Sequence, residues 1–433
     1  MARIKITQAK EQAQGVVNLA GWVRNLRAHK GLVFIDLRDI SGQMQLVITE
    51  SCQDFIEAQK LTLESVIEIS GTLQEKPAKK GDLSGIKDFE VSVENLNILS
   101  LAQEGLPIPV LTKADNEADI DLRFDYRWLD LRQEEKQLIF KVWSKLEEGF
   151  REEFSRQEFT QIYTPCLMST ASETGSDVFE VKYFDKKAYL SQSPQFYKQM
   201  AIASGLERVF MVGPVFRAEK SFTNRHVTEF TGWDFEFAYI NSHQDIMDME
   251  EKLLVSGFKK VKDGLALEID VPGTPFPRFT LVEVKEKLKA KGVISEKEND
   301  LSPEEEREIC KIIKEELNHD FIFVTDYPAD GRAFYHMRYP KTNTTMSFDL
   351  LYRGVEVTTG AQREHRVDIL EKQALEKGMK LEELKDYINF FRFGCPPHGG
   401  VGIGPARLVM KLLSLDNVKE ACFLPRDVKR LTP

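Results

Sequence analysis

The chain is poor in the features that would place it in a membrane or make it a disulfide scaffold. Among its 433 residues no apolar run approaches the ~20 residues that cross a bilayer, and the first ten residues, MARIKITQAK, lack the apolar stretch of a signal peptide. The five cysteines are scattered, odd in number and never spaced as C-x-x-C. This pattern argues against a disulfide framework and a zinc site. We therefore expect a cytoplasmic protein without a membrane partner.

Low-complexity segments and internal repeats are also missing. A content of 42% hydrophobic and 30% charged residues is that of an ordinary globular protein. The length is sufficient for two or three domains. The net charge of −10 does not exclude a nucleic-acid partner, because nucleic-acid binding depends on a local basic patch and not on the total charge.

The first hundred residues predict short strands. Five segments alternate β-branched or aromatic residues with polar ones: VVNLAGWVRNL, LVFIDLRD, MQLVIT, SVIEISGTL and FEVSVENLNIL. No helical crossover separates them, which favours a five-stranded β-barrel of the oligonucleotide-binding (OB) kind over residues 1–105. The same pattern is compatible with another small β-domain, so the pattern alone leaves both open.

The rest of the chain mixes strands and helices. A proline-containing connector, 106–125, precedes a charged helical pattern at about 133–157, and further helices are predicted at 195–204, 243–262, within 285–317 and from Pro405 to Leu415. Strand patterns such as RVFMVGPVFRAE and GWDFEFAYI lie between them. We predict an α+β fold for residues 126–433, built on a largely antiparallel sheet flanked by helices.

The strongest chemical signal is the segment PVFRAEKSFTNRHVTEFTGWDFEFAYI at 214–240. Arg217 and Glu219 precede a polar loop, and Arg225, His226 and Phe230 follow it. A guanidinium fixed on a strand can hold a phosphate through two hydrogen bonds, and that contact strengthens as charge develops at phosphorus. The alternative for this segment is an amphipathic hairpin with surface ion pairs.

A second signal lies near the end, in FRFGCPPHGGVGIGPARLVMKLL at 391–413. Gly402 and Gly404 allow a close backbone approach, and Arg407 opens an apolar helix whose N-terminus attracts phosphate. A dinucleotide-binding fingerprint is excluded by its context, because no βαβ unit with a downstream acid follows. Pro405 is compatible with the first helical turn.

FSRQEFTQIYTPCLM at 154–168 and the two segments above resemble the signature motifs of class II aminoacyl-tRNA synthetases: residues 154–168 resemble motif 1, 214–240 motif 2 and 391–413 motif 3. GWVRNLRAHKGLVFIDLRDISGQMQLV at 21–47 resembles the anticodon-binding barrel of the subclass for aspartate, asparagine and lysine. SQSPQFYKQM at 191–200 and SFDLLYRGVEVTTGAQREH at 347–365 resemble the aspartyl-tRNA synthetase family. The absence of a large insertion between the second and third motifs is similar to the archaeal and eukaryotic type.

The resemblance implies a function and partners. It implies a ligase that activates L-aspartate with ATP and Mg²⁺ and loads tRNA(Asp), with tRNA(Asn) left open as a second acceptor. It also implies a homodimer built on helix 133–157 and on the strand that ends at Pro165. The third motif departs from the family, which usually has Leu-Glu where Pro405 and Ala406 stand, so we expect altered packing near the adenosine.

The resemblance also implies residue roles. ATP would be bound by Arg217, Glu219, Arg225, His226, Phe230, Glu356, Gly404 and Arg407, of which Arg217 and Arg407 would be catalytic. Aspartate would be bound by Glu173, Ser193, Gln195, Lys198, Asp234, Thr359 and Arg363. Mg²⁺ would be held by Asp349, Glu356 and Thr359. The anticodon would be contacted by Arg27, His29, Phe34 and Gln45.

The residues of the predicted amino-acid pocket determine which amino acid is bound. Lys198 and Arg363 would hold the side-chain carboxylate of aspartate, and Asp234 would receive its ammonium group. Outside the family context, Lys198 would be a solvated helix charge, and Asp349 and Glu356 would be ordinary surface acids of a hairpin. Three other functions stay open: an asparaginyl-tRNA synthetase, a paralogue such as an amide-forming asparagine synthetase or an adenylate binder, and a non-enzymatic RNA-binding protein.

Overall fold

The computed structural model describes residues 2–76, 88–110, 117–170, 178–220, 223–295 and 297–433. The chain divides into two compact units, Met1–Leu122 and Arg123–Pro433. Within the described ranges, no helix is long and apolar enough to cross a membrane.

The first unit is a closed five-stranded barrel, which confirms the predicted OB-type fold. Its strands are β1 (Gly15–His29), β2 (Leu32–Asp39), β3 (Gly42–Thr49), β4 (Val66–Glu75) and β5 (Phe89–Ser100), in the order β1-β2-β3-β5-β4. Helix α1 (Ile6–Gln12) precedes the barrel, and the short helix α2 (Phe55–Ala58) follows β3. The strand β3 pairs with β5 in parallel, and the other pairs are antiparallel.

Strict alternation along β2 and β3 separates the inside of this barrel from its outer face. Val33, Ile35, Leu46 and Ile48 are fully buried in the core. The residues between them, including Phe34, point to the other face, because successive side chains of a strand point to opposite sides. The sequence pattern alone does not say which set is inside.

The second unit is built on a long sheet. Its strands are β6 (Thr160–Gln161), β7 (Leu167–Met168), β8 (Glu180–Tyr183), β9 (Lys186–Leu190), β10 (Arg208–Phe216), β11 (Glu229–Ala238), β12 (Arg278–Thr280), β13 (Phe321–Thr325), β14 (Ser347–Tyr352), β15 (Val355–Gln362) and β16 (His398–Ile403). Eight of them form one sheet in the order β12-β13-β14-β15-β16-β11-β10-β6, while β7, β9 and β8 form a small separate sheet. Only the outermost pairs, β12–β13 and β6–β10, are parallel. The predicted antiparallel α+β fold is confirmed.

Helices flank this sheet. They are α3 (Ile120–Asp125), α4 (Arg127–Asp130), α5 (Glu134–Arg156), α6 (Gln195–Ala201), α7 (His243–Leu265), α8 (Leu281–Ala290), α9 (Pro303–Leu317), α10 (Val367–Glu376), α11 (Lys385–Phe391) and α12 (Pro405–Leu412). The predicted helix at 133–157 corresponds to α5. The helical region predicted within 285–317 is two helices, α8 and α9, and the last helix ends at Leu412, three residues before its predicted end.

Helices α5 and α7 pack against each other at glycines. A Cβ atom on Gly149 would lie 2.6 Å from the carbonyl oxygen of Ser256, and one on Gly257 would lie 2.6 Å from the Phe150 ring. The missing side chains therefore allow the two backbones to approach closely. Apolar residues of α5 and α7 fill the space between these helices and the sheet, with Trp233 and Phe235 of β11 on the other side.

Candidate active site

A cavity of about 440 Å³ lies over the middle strands of the large sheet. The β10–β11 hairpin, β15, β16 and the starts of α6 and α12 contribute its walls. Thirteen of the predicted residues line it: Ser193, Gln195, Arg217, Glu219, Arg225, His226, Phe230, Asp234, Glu356, Thr359, Arg363, Gly404 and Arg407. Lys198 and Asp349 lie behind the wall, and Glu173 lies outside the described residues.

One end of the cavity combines a guanidinium with an aromatic ring. Arg217 directly follows β10, and its backbone N–H donates to the carbonyl oxygen of Thr228 on the returning chain, at 2.9 Å. Phe230 is on the adjacent strand, with its ring centroid 5.4 Å from the Arg217 guanidinium carbon. The Arg217 side chain is 46% exposed and lies 3.9 Å from Glu219. A half-exposed guanidinium near a ring face can contact both the phosphate and the base of a nucleotide.

The same end places three arginines around a histidine. Burial and the nearby cations Arg407, Arg225 and Arg217 lower the pKa of His226, and Glu219 opposes this only in part. The His226 ring lies 2.6 Å from the Thr223 hydroxyl. Three arginines at one end of a cavity form a suitable environment for an anion.

Helix α12 adds its N-terminus to this end. Gly404 precedes the helix and Pro405 occupies its first turn, which a proline tolerates because no helical acceptor faces its nitrogen. Arg407 donates from Nη1 to the backbone carbonyl of Glu356 at 3.0 Å. Ala406 lies in the cavity wall, so the departure from the family pattern places a small apolar side chain there.

The predicted metal ligands lie on the β14–β15 hairpin, which turns at Arg353-Gly354. Asp349 pairs in register with Thr359, whose hydroxyl donates to Glu356 Oε1 at 3.1 Å. Both oxygens of Asp349 accept from Arg332, at 2.9 and 2.5 Å.

The electrostatics of this hairpin fit a divalent cation. Burial and the Asp349 charge raise the pKa of Glu356 above its ordinary value, while Arg407 and Arg332 act in the opposite direction. Glu356 and Thr359 line the cavity and offer hard oxygen donors, which suit Mg²⁺ when phosphate oxygens supply further ligands, whereas both oxygens of Asp349 are already held by Arg332. No group of three or more acidic, histidine or cysteine side chains arranged for a metal occurs within the described ranges.

Four charged side chains are packed at the other end of the cavity. Lys198 on α6 donates to Asp234 at 2.8 Å and to the carbonyl oxygen of Val401 at 2.9 Å, and its side chain has no exposed surface. Arg363 donates from Nε to Glu236 at 2.9 Å. Lys198 also lies 3.4 Å from Glu236. Two cations and two carboxylates therefore balance each other.

The pKa of Glu236 reflects this arrangement. Complete burial raises it, but the charges of Arg363 and then Lys198 outweigh burial and hold the pKa below its ordinary value. Gln195 bridges Arg363 and Glu236, because its side-chain oxygen accepts from Arg363 at 2.9 Å and its side-chain nitrogen donates to Glu236 at 3.3 Å. The sequence prediction treated Lys198 and Arg363 as cations open to a ligand, whereas here carboxylates already neutralise both.

Several residues of the site were not predicted from the sequence. Glu236 had a usable signal, because it stands two positions after Asp234 on one strand and so shares its face. Arg332 and His336 lie in an irregular segment with no periodicity to mark them. His336 is buried, and burial together with Arg363 and Arg332 holds its pKa well below the ordinary value. Its Nδ1 has no hydrogen-bond partner in the described part of the chain.

The four predicted anticodon residues lie together on the outer face of the first unit. Arg27 pairs in register with Phe34, and its guanidinium carbon is 6.0 Å from the centre of that ring. The His29 ring is 6.2 Å from Phe34. Gln45 on β3 donates to Glu90 at 2.9 Å. A partly buried ring on this outer face, between basic and polar groups, has the composition of a platform for single-stranded bases.

Comparison with known proteins agrees with both units. Residues 119–428 match the family model of class II tRNA synthetases (D, K and N), and residues 17–99 match that of the OB-fold nucleic acid binding domain. The aspartate–tRNA(Asp/Asn) ligase of Aeropyrum pernix is 40% identical over 97% of this chain and 96% of its own length. The aspartate–tRNA(Asp) ligase of Picrophilus torridus is 39% identical over 96% of this chain and 97% of its own.

Solved structures are similar over the same extent. The asparaginyl-tRNA synthetase of Pyrococcus horikoshii, complexed with asparaginyl-adenylate, has a TM-score of 0.90 and 33% identity, with all of both chains covered. The aspartyl-tRNA synthetase of Entamoeba histolytica has a TM-score of 0.86 and 32% identity, covering all of this chain and 93% of that one. The chain belongs to the class II tRNA synthetases of the D, K and N group, enzymes that use ATP to join an amino acid to tRNA.

Proposed function

We propose that this chain is an aspartate–tRNA ligase that forms aspartyl-adenylate from L-aspartate and ATP and transfers the aspartyl group to the 3′ end of tRNA(Asp). The observation that carries the proposal is the composition of one cavity. It combines an arginine–aromatic pair suited to a nucleotide with a buried cluster of two cations and two acids suited to a charged zwitterion. Full-length relatives named as aspartate–tRNA ligases support the same choice.

The proposed chemistry needs no nucleophilic side chain. The aspartate α-carboxylate attacks the α-phosphorus of ATP, the bond to the bridging oxygen breaks, and pyrophosphate leaves. A terminal ribose hydroxyl of tRNA then attacks the adenylate carbonyl, and AMP leaves. Arg217 would hold the α-phosphate as its charge develops, and Arg407 and Arg225 would hold the outer phosphates. When bound, Mg²⁺ would neutralise phosphate charge beside Asp349 and Glu356.

When aspartate binds, the charged side chains at the amino-acid end would exchange some of their present ion-pair partners for charged groups of the substrate. The ammonium group of aspartate would bind Asp234, whose carboxylate faces the cavity. The side-chain carboxylate would share the guanidinium of Arg363 and the charge of Lys198. Ion pairing in this dry region is favourable only when every charge has a partner, which disfavours ligands with an unmatched charge.

The second candidate is asparagine as the amino acid. The four buried charges of the pocket cancel, and the synthetase with a TM-score of 0.90 is complexed with asparaginyl-adenylate. Pyrophosphate exchange with L-aspartate and with L-asparagine separates the two candidates. Exchange that depends on aspartate supports our proposal, and exchange that depends on asparagine alone would replace it.

The choice of tRNA and the assembly form part of the proposal. Charging of purified tRNA(Asp) and tRNA(Asn) tests whether the enzyme accepts both acceptors, as the name of the Aeropyrum pernix relative states for that protein. A homodimer would use the edge of the large sheet, where β6 is the last strand and Tyr163 is 83% exposed. Sedimentation at micromolar concentration should show twice the 49.7 kDa of the chain.

A further inference from the structure

A carboxylate outside the three motifs contacts the nucleotide end of the cavity. Glu306 lies in the first turn of α9, between the second and third motifs in the chain. Its Oε2 accepts from Arg225 Nη2 and also from the backbone N–H of Glu356, the latter at 3.1 Å. One carboxylate oxygen therefore connects the motif 2 loop with the strand that carries a predicted metal ligand.

The pairing leaves Arg225 able to contact a ligand. Arg225 lines the cavity, and its Nε is buried without a hydrogen-bond partner in the described ranges. A guanidinium carries five N–H donors, so the bond to Glu306 fixes its orientation while others still face the cavity. A buried donor without an acceptor is unfavourable, and a phosphate oxygen would remove that penalty.

The carboxylate itself is held rigidly. Ser302 caps α9, and the neighbouring Glu305 completes the capping box. Lys285 of α8 lies 2.6 Å from the fully buried Glu305. Glu306 is only 7% exposed and comes directly after Glu305 in the same helical turn, so the backbone leaves it little freedom.

We propose that Glu306 is a positioning residue for ATP, which orients Arg225 toward the outer phosphates and aligns it with Glu356. The inference rests on the proposed function, because ATP is the ligand that it concerns.

The test uses Glu306→Gln, which keeps the shape of the side chain and removes its charge, with Glu304→Gln on the exposed side of the same helix turn as the control. The Kd of ATP is measured by equilibrium dialysis, and the KM values of ATP and aspartate are measured by pyrophosphate exchange. Glu306→Gln should raise the Kd and KM of ATP ten- to a hundredfold, roughly the effect of removing a side chain that orients a ligand-binding group. The KM of aspartate should stay within about twofold, and the control should match the wild type.

A double-mutant cycle with Arg225→Ala tests the route of the effect. If Glu306 acts through Arg225, then adding Glu306→Gln to the Arg225→Ala variant should cause no further change in the Kd or the KM of ATP. Full additivity, tighter ATP binding by Glu306→Gln, or equal losses for ATP and aspartate would each overturn the inference. If Glu306→Gln does not fold, Glu306→Asp retains the charge but shortens the side chain, and it should weaken ATP binding in the same way.

Failure of the proposed function looks different. A wild-type protein that binds ATP but shows no exchange with aspartate would contradict the proposed function alone. Dialysis would still measure the effect of Glu306 on ATP in that protein.

Discussion

Replacing Lys198 with methionine tests how the pocket recognises a charged substrate. The wild-type cluster contains two cations, Lys198 and Arg363, and two acids, Asp234 and Glu236. The Lys198 side chain is completely buried, and Glu236 has no exposed surface. Methionine has a similar length and no charge. The variant therefore keeps the packing but leaves the cluster with one unmatched negative charge.

The size of the effect follows from the loss of that partner. Removal of one member of a buried ion pair is unfavourable by about 3–5 kcal/mol. If the bound aspartate carboxylate experiences the same imbalance, kcat/KM for aspartate should fall by ~10²- to ~4 × 10³-fold, at about 1.4 kcal/mol per tenfold change. Asparagine has no side-chain charge, so its kcat/KM should fall much less.

The assay is pyrophosphate exchange with each amino acid, for wild type and Lys198→Met, together with thermal unfolding. The ratio of kcat/KM for aspartate over asparagine should decrease in the variant, while the KM of ATP stays within about threefold. A lower Tm is also expected, because Asp234 and Glu236 lose a counter-ion. An unchanged ratio in a folded variant would refute the role of Lys198 in recognising the carboxylate.

Three further predictions concern other parts of the chain. Arg217→Ala should lower kcat of pyrophosphate exchange by ~10²- to 10³-fold without changing Tm, because a half-exposed side chain that contacts the transition state is lost; near-normal exchange would exclude that role. Phe34→Ala should raise the KM of tRNA, because the variant loses the ~1–3 kcal/mol of stacking with one base, and it should leave pyrophosphate exchange intact. A large fall in Tm would instead show a structural role. Burial raises the pKa of Glu250 to about 8, the Thr358 hydroxyl opposes this and the Glu251 charge adds to it. The folded protein thus binds one more proton than the unfolded chain between pH 4.5 and about 8, and stability falls as pH rises through that window. Glu250→Gln should match the wild type near pH 5 and exceed its unfolding free energy by up to a few kcal/mol at pH 8; a pH-independent difference in urea titrations would contradict this.

The fold follows from the sequence where periodicity is strong. Alternation with short turns predicts the five-stranded barrel, and the charged 3.6-residue pattern predicts α5 to within one residue at each end. The prediction of a single helical region within 285–317 is wrong in detail, since the region contains parts of two helices, α8 and α9. The connection between them contains polar residues that are compatible with a helix, so the sequence pattern does not show the break. The order of strands in the large sheet depends on contacts far apart in the chain, which periodicity does not contain.

The site is predictable only where residues belong to a compact motif. Arg217 and Phe230 stand thirteen positions apart on one hairpin, so their proximity is local. Arg332, in contrast, holds both oxygens of Asp349 from a loop that precedes it. Glu306 contacts Arg225 from a helix 81 positions further along the chain. Such pairs are set by tertiary packing, and a single sequence has no feature that indicates them.

The ion pairs at the two ends of the cavity differ in burial, so mutations at the two ends should have different effects on stability. At the nucleotide end, Arg217 and Arg407 keep 46% and 22% of their side-chain surface exposed, at 3.9 and 3.6 Å from their acids. Water screens such loose pairs, so the loss of either arginine should change activity toward ATP while leaving the free energy of unfolding nearly unchanged.

At the amino-acid end, Lys198 and Arg363 keep 0% and 4% exposed and hold their acids at 2.8 and 2.9 Å. Their loss should weaken both folding and aspartate binding, because a buried carboxylate is left without a partner. A rigid, neutral cluster can accept a ligand only by exchanging partners with it. This requirement favours a zwitterion with a further carboxylate, whose charges find both acids and both cations in place.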